Sequence, residues 1–135
     1  FGNLKNRIGN KKQPLRIMLR SRPLFAMAGI YEAWTSPQGE TIHSCSVITT
    51  EANDWMRSIH ERMPVILPPE AESIWLDRRL QTAEQLWPLL KPYPEDDMKA
   101  YPVHPKVGKV SHDDPSCIAE HTETESSNEE QPTLW

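Results

Sequence analysis

The stretch PLRIMLRSRPLFAMAGIYEAWTSPQGETIHSCSVIT, residues 14–49, carries most of the information about fold class. Its first part alternates, with Leu15, Ile17 and Leu19 on one side and Arg16, Met18 and Arg20 on the other. Period-two alternation of this kind reads as a half-buried strand. Ser21-Arg22-Pro23 punctuates it, and the apolar run Leu24–Trp34 reads as a second strand, buried on both faces, with Gly29 marking a bulge or close approach. Ser36-Pro37-Gln38-Gly39 is a turn, and Thr41–Thr49 is a third strand. Three consecutive strands with short connections predict an antiparallel meander.

Beyond Thr49 the period changes. Thr50 is placed to cap a helix with Glu51 and Asp54 in its first turn, and Ala52, Trp55, Met56 and Ile59 form its apolar stripe. Pro64 requires an extended residue before it, so the helix ends near His60, and Val65–Leu67 continues as an extended segment. Pro68-Pro69 opens a second helix carrying Ala71, Ile74 and Trp75. Thr82 and Gln85 suit a capping box for a third, and Ala100–His104 reads as a last strand before a polar loop through Asp114. The fold class is α+β: an antiparallel β-rich core with short helices packed outside.

Composition sets the bounds. A chain of 135 residues supports one domain, and thirteen prolines against five glycines divide it into short elements. No apolar run is long enough to span a bilayer and none has the form of a signal peptide, so no membrane partner and a cytoplasmic location are expected. The chain opens on Phe1 in a polar, basic segment, so an N-terminal portion of the domain is expected to lie upstream. The net charge of −4 is uneven. Residues 1–22 hold seven bases and no acid, whereas Glu120, Glu123, Glu125, Glu129 and Glu130 leave the C-terminal stretch purely acidic. A basic stretch suits phosphate contacts, although a solvated face has the same composition. Residues 120–135 read as a disordered acidic tail behind a domain of residues 1–119.

Few side chains are candidates for chemistry. Cys45 and Cys117 have neither disulfide nor zinc spacing, so no metal and no cofactor is expected. His43 and Cys45 share a strand face, yet a buried structural cysteine is favoured over a nucleophile. Asp113-Asp114 reads as a turn. His60 stands out: the carbonyl end of a helix favours a cation, which suits a general acid or base, and Arg62 offers a planar fork for phosphate or carboxylate. A cap or a plain surface histidine fits the same position.

Ser58-Ile59-His60-Glu61-Arg62-Met63-Pro64-Val65-Ile66-Leu67 resembles the I-H-x-R-M-P-x-(I/L)-L motif of the SOS-response-associated peptidase (SRAP) family. Lys11-Lys12-Gln13-Pro14, Phe25–Trp34, Ile48-Thr49-Thr50-Glu51-Ala52-Asn53 and Tyr101-Pro102-Val103 resemble further family motifs in the same order, over residues 11–119. The resemblance implies a protein that binds single-stranded DNA and covalently shields abasic sites. An N-terminal cysteine forms a thiazolidine with the sugar aldehyde, and an autopeptidase activity exposes that cysteine. It further implies proton transfer by His60 during sugar ring opening and crosslink reversal, and a phosphate contact at Arg62; Lys106 and Lys109, by their charge, are expected to contact the DNA backbone. The family's cysteine, asparagine and catalytic glutamate precede Lys11-Lys12-Gln13-Pro14. Neither Cys45 nor Cys117 carries a free α-amine, and Glu32 belongs to a later strand. The last loop departs from the family pattern, with His104 and Lys109 at positions usually held by Ser and Asn.

The terminal Gln131-Pro132-Thr133-Leu134-Trp135 resembles the short peptides by which bacterial repair proteins dock on the sliding clamp, with Gln131, Leu134 and Trp135 as anchors. The alternative to a crosslinking protein is therefore a non-catalytic single-stranded DNA-binding or clamp-docking module. Either implies a bacterial cytoplasmic protein, nucleoid-associated when on DNA.

Overall fold

The structure, a computed structural model, describes residues 4–8, 11–80 and 82–122. The tail read as starting at Glu120 is ordered at its first residues, with Glu120 bridged to Val103 and His121 N–H donating to Pro102 O at 2.8 Å; the rest of it, with the anchors Gln131, Leu134 and Trp135, lies outside the described residues. Among the described residues, nine short strands and three short helices alternate with 3-10 turns, in agreement with the α+β expectation. The chain groups into two units: one from residues up to Ile17 together with those from Ala100 onward, the other from Met18 to Lys99.

In the first unit, β1 (Leu4–Ile8) pairs antiparallel with β2 (Lys11–Leu19), from Leu4 opposite Leu15 to Ile8 opposite Lys11. On its other side β2 neighbours β9 (Met98–Pro102). Pro14 has no N–H for the ladder, and its carbonyl accepts from Val103 N–H at 3.0 Å. Gln13 Nε2 donates to the carbonyls of Pro14 and Val103, each at 2.9 Å. Arg16 lies over the Tyr101 ring and donates to its hydroxyl at 2.5 Å. Tyr101 in turn donates to Ile118 O at 2.5 Å. Past β9, Val103 bridges Glu120, and Cys117 is buried.

The second unit contains three two-stranded ladders. β3 (Ala26–Met27) pairs with β8 (Ile66–Leu67), β4 (Gly29–Thr35) with β5 (Thr41–Val47), and β6 (Thr49–Glu51) with β7 (Arg62–Pro64), all antiparallel. One residue separates the members of each consecutive strand pair: Ala28 between β3 and β4, Ile48 between β5 and β6, Val65 between β7 and β8. These three close a ring of backbone hydrogen bonds. Ala28 N–H donates to Val65 O at 2.8 Å, Val65 N–H to Ile48 O at 2.9 Å, and Ile48 N–H to Ala28 O at 2.9 Å. Ala28 and Val65 are wholly buried, and Leu67 and Ala71 complete this core with Ile48 and Trp75 against it.

The strand order differs from the expected meander. The first strand pairs with β1 and β9 rather than with the second, because its pairing edges are filled by a segment preceding it and by the last strand. The expected second strand is two strands that change partner at Ala28. Its burial on both faces is also not found: every residue of β4 and β5 is exposed, since the ribbon holds only two strands and no described element covers it. Gly29 sits in regular register opposite Val47, and Gly39 is the glycine that needs its freedom, at φ 85° in the Ser36–Gly39 turn.

α2 (Pro69–Leu76) starts behind Pro68 as expected, and burial of Ala71 seats it on the core. In α3 (Ala83–Leu86), Thr82 bonds the Gln85 side chain at 2.8 Å instead of the backbone, so the capping box is not formed. Asp97 ties the ends of this unit together. Its carboxylate accepts from Ser21 N–H at 2.8 Å, Ser21 Oγ–H at 2.6 Å and Tyr93 O–H at 2.8 Å. The bonds from Ser21 above all hold its pKa below the ordinary aspartate value, and burial with the Asp97 bond raises that of Tyr93.

A carboxyl whose folded pKa is depressed contributes stability that is complete above its unfolded value, about 4, and lost as pH falls through the folded value. Asp97→Asn should therefore lower the thermal midpoint at neutral pH, and the gap to wild type should close as pH drops below about 4. Thermal scans from neutral pH to acid check this; a gap independent of pH would remove the carboxylate from the account.

A candidate DNA-binding and proton-transfer site

The segment between the junction residues Ile48 and Val65 forms the β6–β7 hairpin with one helical turn, α1 (Asp54–Arg57), at its tip. Asn53, not Thr50, is the N-cap: its Oδ1 accepts from Met56 N–H at 2.8 Å. Thr50 lies in β6 because strand pairing with β7 reaches as far as Glu51 opposite Arg62. Asn53 Nδ2 donates to Tyr93 O at 2.7 Å and contacts Met98 Sδ at 3.3 Å, which anchors the cap from a second direction. The expected helical stripe is not formed, because the helix is a single turn: Trp55 and Met56 lie on it, while Ala52, although buried, precedes its N-cap and Ile59 follows its C-cap.

His60 follows this turn. Its N–H donates to Met56 O at 2.9 Å, which places the ring at the carbonyl end, as the sequence suggested. His60 Nδ1 lies 3.0 Å from both the N and the O of Arg62. With Nδ1 bare the ring accepts there from Arg62 N–H, whereas with Nδ1 protonated, in the neutral or the charged ring, it donates to the Arg62 carbonyl. Either state of Nδ1 thus has a partner on the backbone of one residue. With Nδ1–H kept on the carbonyl, the ring can release or take a proton at Nε2 without losing its seat. The Arg62 guanidinium is held as well, donating from Nη2 to Thr49 O at 2.9 Å and to Thr49 Oγ1 at 3.0 Å. Both side chains remain exposed to solvent.

The lysines belong to the other unit. Lys106 is half-buried in the 3-10 turn Pro105–Gly108, and its Nζ donates to Ser116 Oγ, which bonds Asp114. The Ser116 hydroxyl and N–H hold the Asp114 pKa below the ordinary value. Asp114 caps the 3-10 turn Pro115–Ile118, so the Asp113-Asp114 reading as a turn is correct. Lys109 is exposed at the C-cap of the first of these turns. His104 caps the same turn through its Nδ1, 3.0 Å from Lys106 N, and packs edge-on against His121.

Cys45 is exposed, contrary to the expectation of burial, because it lies on the uncovered β5. His43 stacks on Tyr31 across the ribbon and hydrogen-bonds its hydroxyl. Glu32 is an exposed acid opposite Ser44 in the later strand, as expected. Among the described residues, no three His, Cys, Asp or Glu side chains converge on a metal position, and no helix is long and apolar enough to cross a membrane. Sequence reasoning missed Thr49 and Asn53. The signal for Asn53 was an Asn directly before Asp54, which is itself an N-cap pattern.

The family model for SOS response associated peptidase (SRAP) matches residues 5–110, and the chain belongs to this family. Its relatives include the abasic site processing protein YoqW of Bacillus subtilis, 44% identical over 110 residues that make up 82% of this chain and 49% of YoqW. The abasic site processing protein HMCES of Rattus norvegicus is 37% identical over 71% of this chain and 27% of its own length. A crystal structure of a Bacteroides thetaiotaomicron protein superposes with a TM-score of 0.80 at 32% identity, covering 90% of this chain and 53% of that one. The chain spans about half the length of YoqW and of that structure.

Asn53→Ala should cost about 1–2 kcal/mol through loss of the cap. Asn53→Asp, which restores the acceptor but not the donor to Tyr93, should fall between the two. Urea denaturation of the three chains checks the order.

Proposed function

We propose that the chain contributes the DNA-holding and proton-transferring part of a SRAP protein that acts on abasic sites in single-stranded DNA. The observation carrying this reading is the His60–Arg62 pair. A histidine with a partner for both protonation states stands two residues from an arginine anchored on Thr49, both open to solvent. The names of the relatives, abasic site processing proteins, support the target.

Arg62 holds a backbone phosphate near the lesion. His60 gives its Nε2 proton to the ring oxygen of the abasic sugar as the bond from that oxygen to C1′ breaks, and the C1′ hydroxyl loses its own proton to leave the aldehyde. The family's N-terminal cysteine then condenses with this aldehyde: its amine displaces water and its thiol adds to C1′, closing the thiazolidine. In reversal the proton moves back by the same route. Neither Cys45 nor Cys117 takes the nucleophile's place, since an internal residue has no free amine. Lys109, exposed, offers a separate DNA-backbone contact; Lys106 does so only by giving up its bond to Ser116. We further propose that Gln131, Leu134 and Trp135 dock on a sliding clamp and that the protein works at the nucleoid; these rest on sequence resemblance. A binding module without chemistry would keep the same DNA and clamp contacts.

The test uses an oligonucleotide with one abasic site. With the 135-residue chain, Arg62→Ala should weaken single-strand binding in anisotropy titrations and reduce the slope of log affinity against log salt by about one. In the reading frame that contains this chain together with whatever precedes Phe1, His60→Ala should slow crosslinking and its reversal by about 10²-fold or more. An unchanged slope removes the phosphate contact, and unchanged crosslinking kinetics remove His60 from the chemistry. Absence of any crosslink in that frame favours the binding module.

A further inference from the structure

We propose that Glu95 is a positioning residue for His60, acting through α1 and not by touching the ring; the assignment rests on the proton-transfer reading of His60. A helix of one turn cannot hold its own shape, because its first N–H groups have no partner within it. In α1, Arg57 N–H reaches Asn53 O at 2.9 Å, but the N–H groups of Trp55 and Met56 point out of the N-terminal end. Side chains take both: Met56 N–H donates to Asn53 Oδ1 at 2.8 Å, and Trp55 N–H to Glu95 Oε2 at 2.9 Å. Asn53 is the local cap. Glu95 comes from elsewhere in the chain, from the 3-10 turn Glu95–Asp97 that precedes β9.

That turn is itself braced. Tyr93, between Pro92 and Pro94, accepts at its carbonyl from Asn53 Nδ2 at 2.7 Å and donates from its hydroxyl to Asp97 at 2.8 Å. The Asp97 carboxylate holds Ser21, and its carbonyl accepts from Arg20 N–H at 2.7 Å. Glu95 therefore meets α1 from a fixed place. Burial of Met56 pins the turn at one side chain and leaves rotation about that point, which bonds at the N-terminal end remove. The step from there to the histidine is short. Met56, next to Trp55, accepts at its carbonyl from Ile59 N–H at 2.8 Å and from His60 N–H at 2.9 Å. His60 is thus fixed at two points, its N–H by α1 and its ring by the Arg62 backbone in β7. The ring keeps its seat only while these two elements hold one angle, and Glu95 sets the α1 side of it. Small misplacement of a reacting group is enough to slow a reaction.

Nitrogen-15 spectra of the imidazoles read the ring without DNA, since each ring nitrogen reports whether it carries a proton. In the 135-residue chain, Glu95→Ala should move both His60 nitrogens toward values averaged over freely exchanging tautomers. Glu95→Gln, which keeps an acceptor for Trp55 N–H, should leave them near wild type. Arg79→Ala, which breaks the exposed pair with Asp77, should leave them unmoved. Amide spectra that otherwise overlay show that each variant is folded. In the reading frame that contains this chain together with whatever precedes Phe1, Glu95→Ala should slow crosslinking to an abasic oligonucleotide about tenfold at saturating DNA. Glu95→Gln should restore the rate, and affinity for an intact strand should be the same in all three. Unmoved His60 nitrogens in Glu95→Ala overturn the assignment, as does a loss that Glu95→Gln fails to restore. Moved nitrogens with wild-type crosslinking also overturn it when His60→Ala is slow. Where His60→Ala itself crosslinks at the wild-type rate, the proton-transfer reading fails, and the nitrogen shifts alone decide whether Glu95 positions the ring.

Discussion

Three backbone hydrogen bonds set the architecture of the larger unit. Ala28, Ile48 and Val65 each donate to one of the others and accept from the third, so six polar groups are satisfied at a point where the side chains of Ala28 and Val65 have no solvent contact. Buried backbone groups without partners are costly, and a place where three ladders end would normally leave several. The ring removes that cost by letting each strand end against a neighbour. It also explains why position 28 is small: the three backbones can approach only if little protrudes between them. Every two-stranded ladder of the unit leaves from this point, and the directions of β3–β8, β4–β5 and β6–β7 follow from it.

The candidate site inherits its geometry from the same ring. Val65 N–H to Ile48 O closes the base of a loop whose arms are β6 and β7 and whose tip is α1. Thr49, the first residue of one arm, holds the guanidinium of Arg62, the first residue of the other. His60 then leans on the backbone N–H and C=O of Arg62. The helix contributes little by its dipole, being a single turn. What fixes the histidine is the backbone N–H and C=O of one residue, Arg62, with Asn53 holding the turn against Tyr93 from the far side.

Much of this was legible in the sequence, and the failures have a common cause. Alternation along Leu15, Ile17 and Leu19 correctly marked a strand, the Ser36–Gly39 turn correctly joined two others, and Pro68-Pro69 correctly began a helix. Placement of His60 and Arg62 on a helix-to-strand turn was equally readable, because Pro64 constrains the residue before it. Pairing was not readable. Period-two patterning tells which face of a strand meets the core and says nothing about which strand lies beside it. The partner of β2 was β1, drawn from a basic stretch with no alternation to announce it. Burial was misjudged for a related reason: an apolar run states a need for cover, and the run through Tyr31 and Trp34 has that need without having the cover within the described residues.

Two kinds of exposure therefore coexist in one unit, and the distinction between them carries functional meaning. Arg62 and His60 face solvent with their orientations already specified by Thr49 and by the Arg62 backbone, so little side-chain freedom remains to be lost there. Ile30, Trp34 and Ile42 face solvent with nothing specified, and water gains nothing from them. The first pattern suits a polar ligand, since the cost of ordering the side chains has been met within the fold. The second leaves apolar side chains in water, where they lack the contact that would stabilise them. Both trace to the Ala28–Ile48–Val65 ring, which directs the β6–β7 arm and the β4–β5 ribbon away from one buried point.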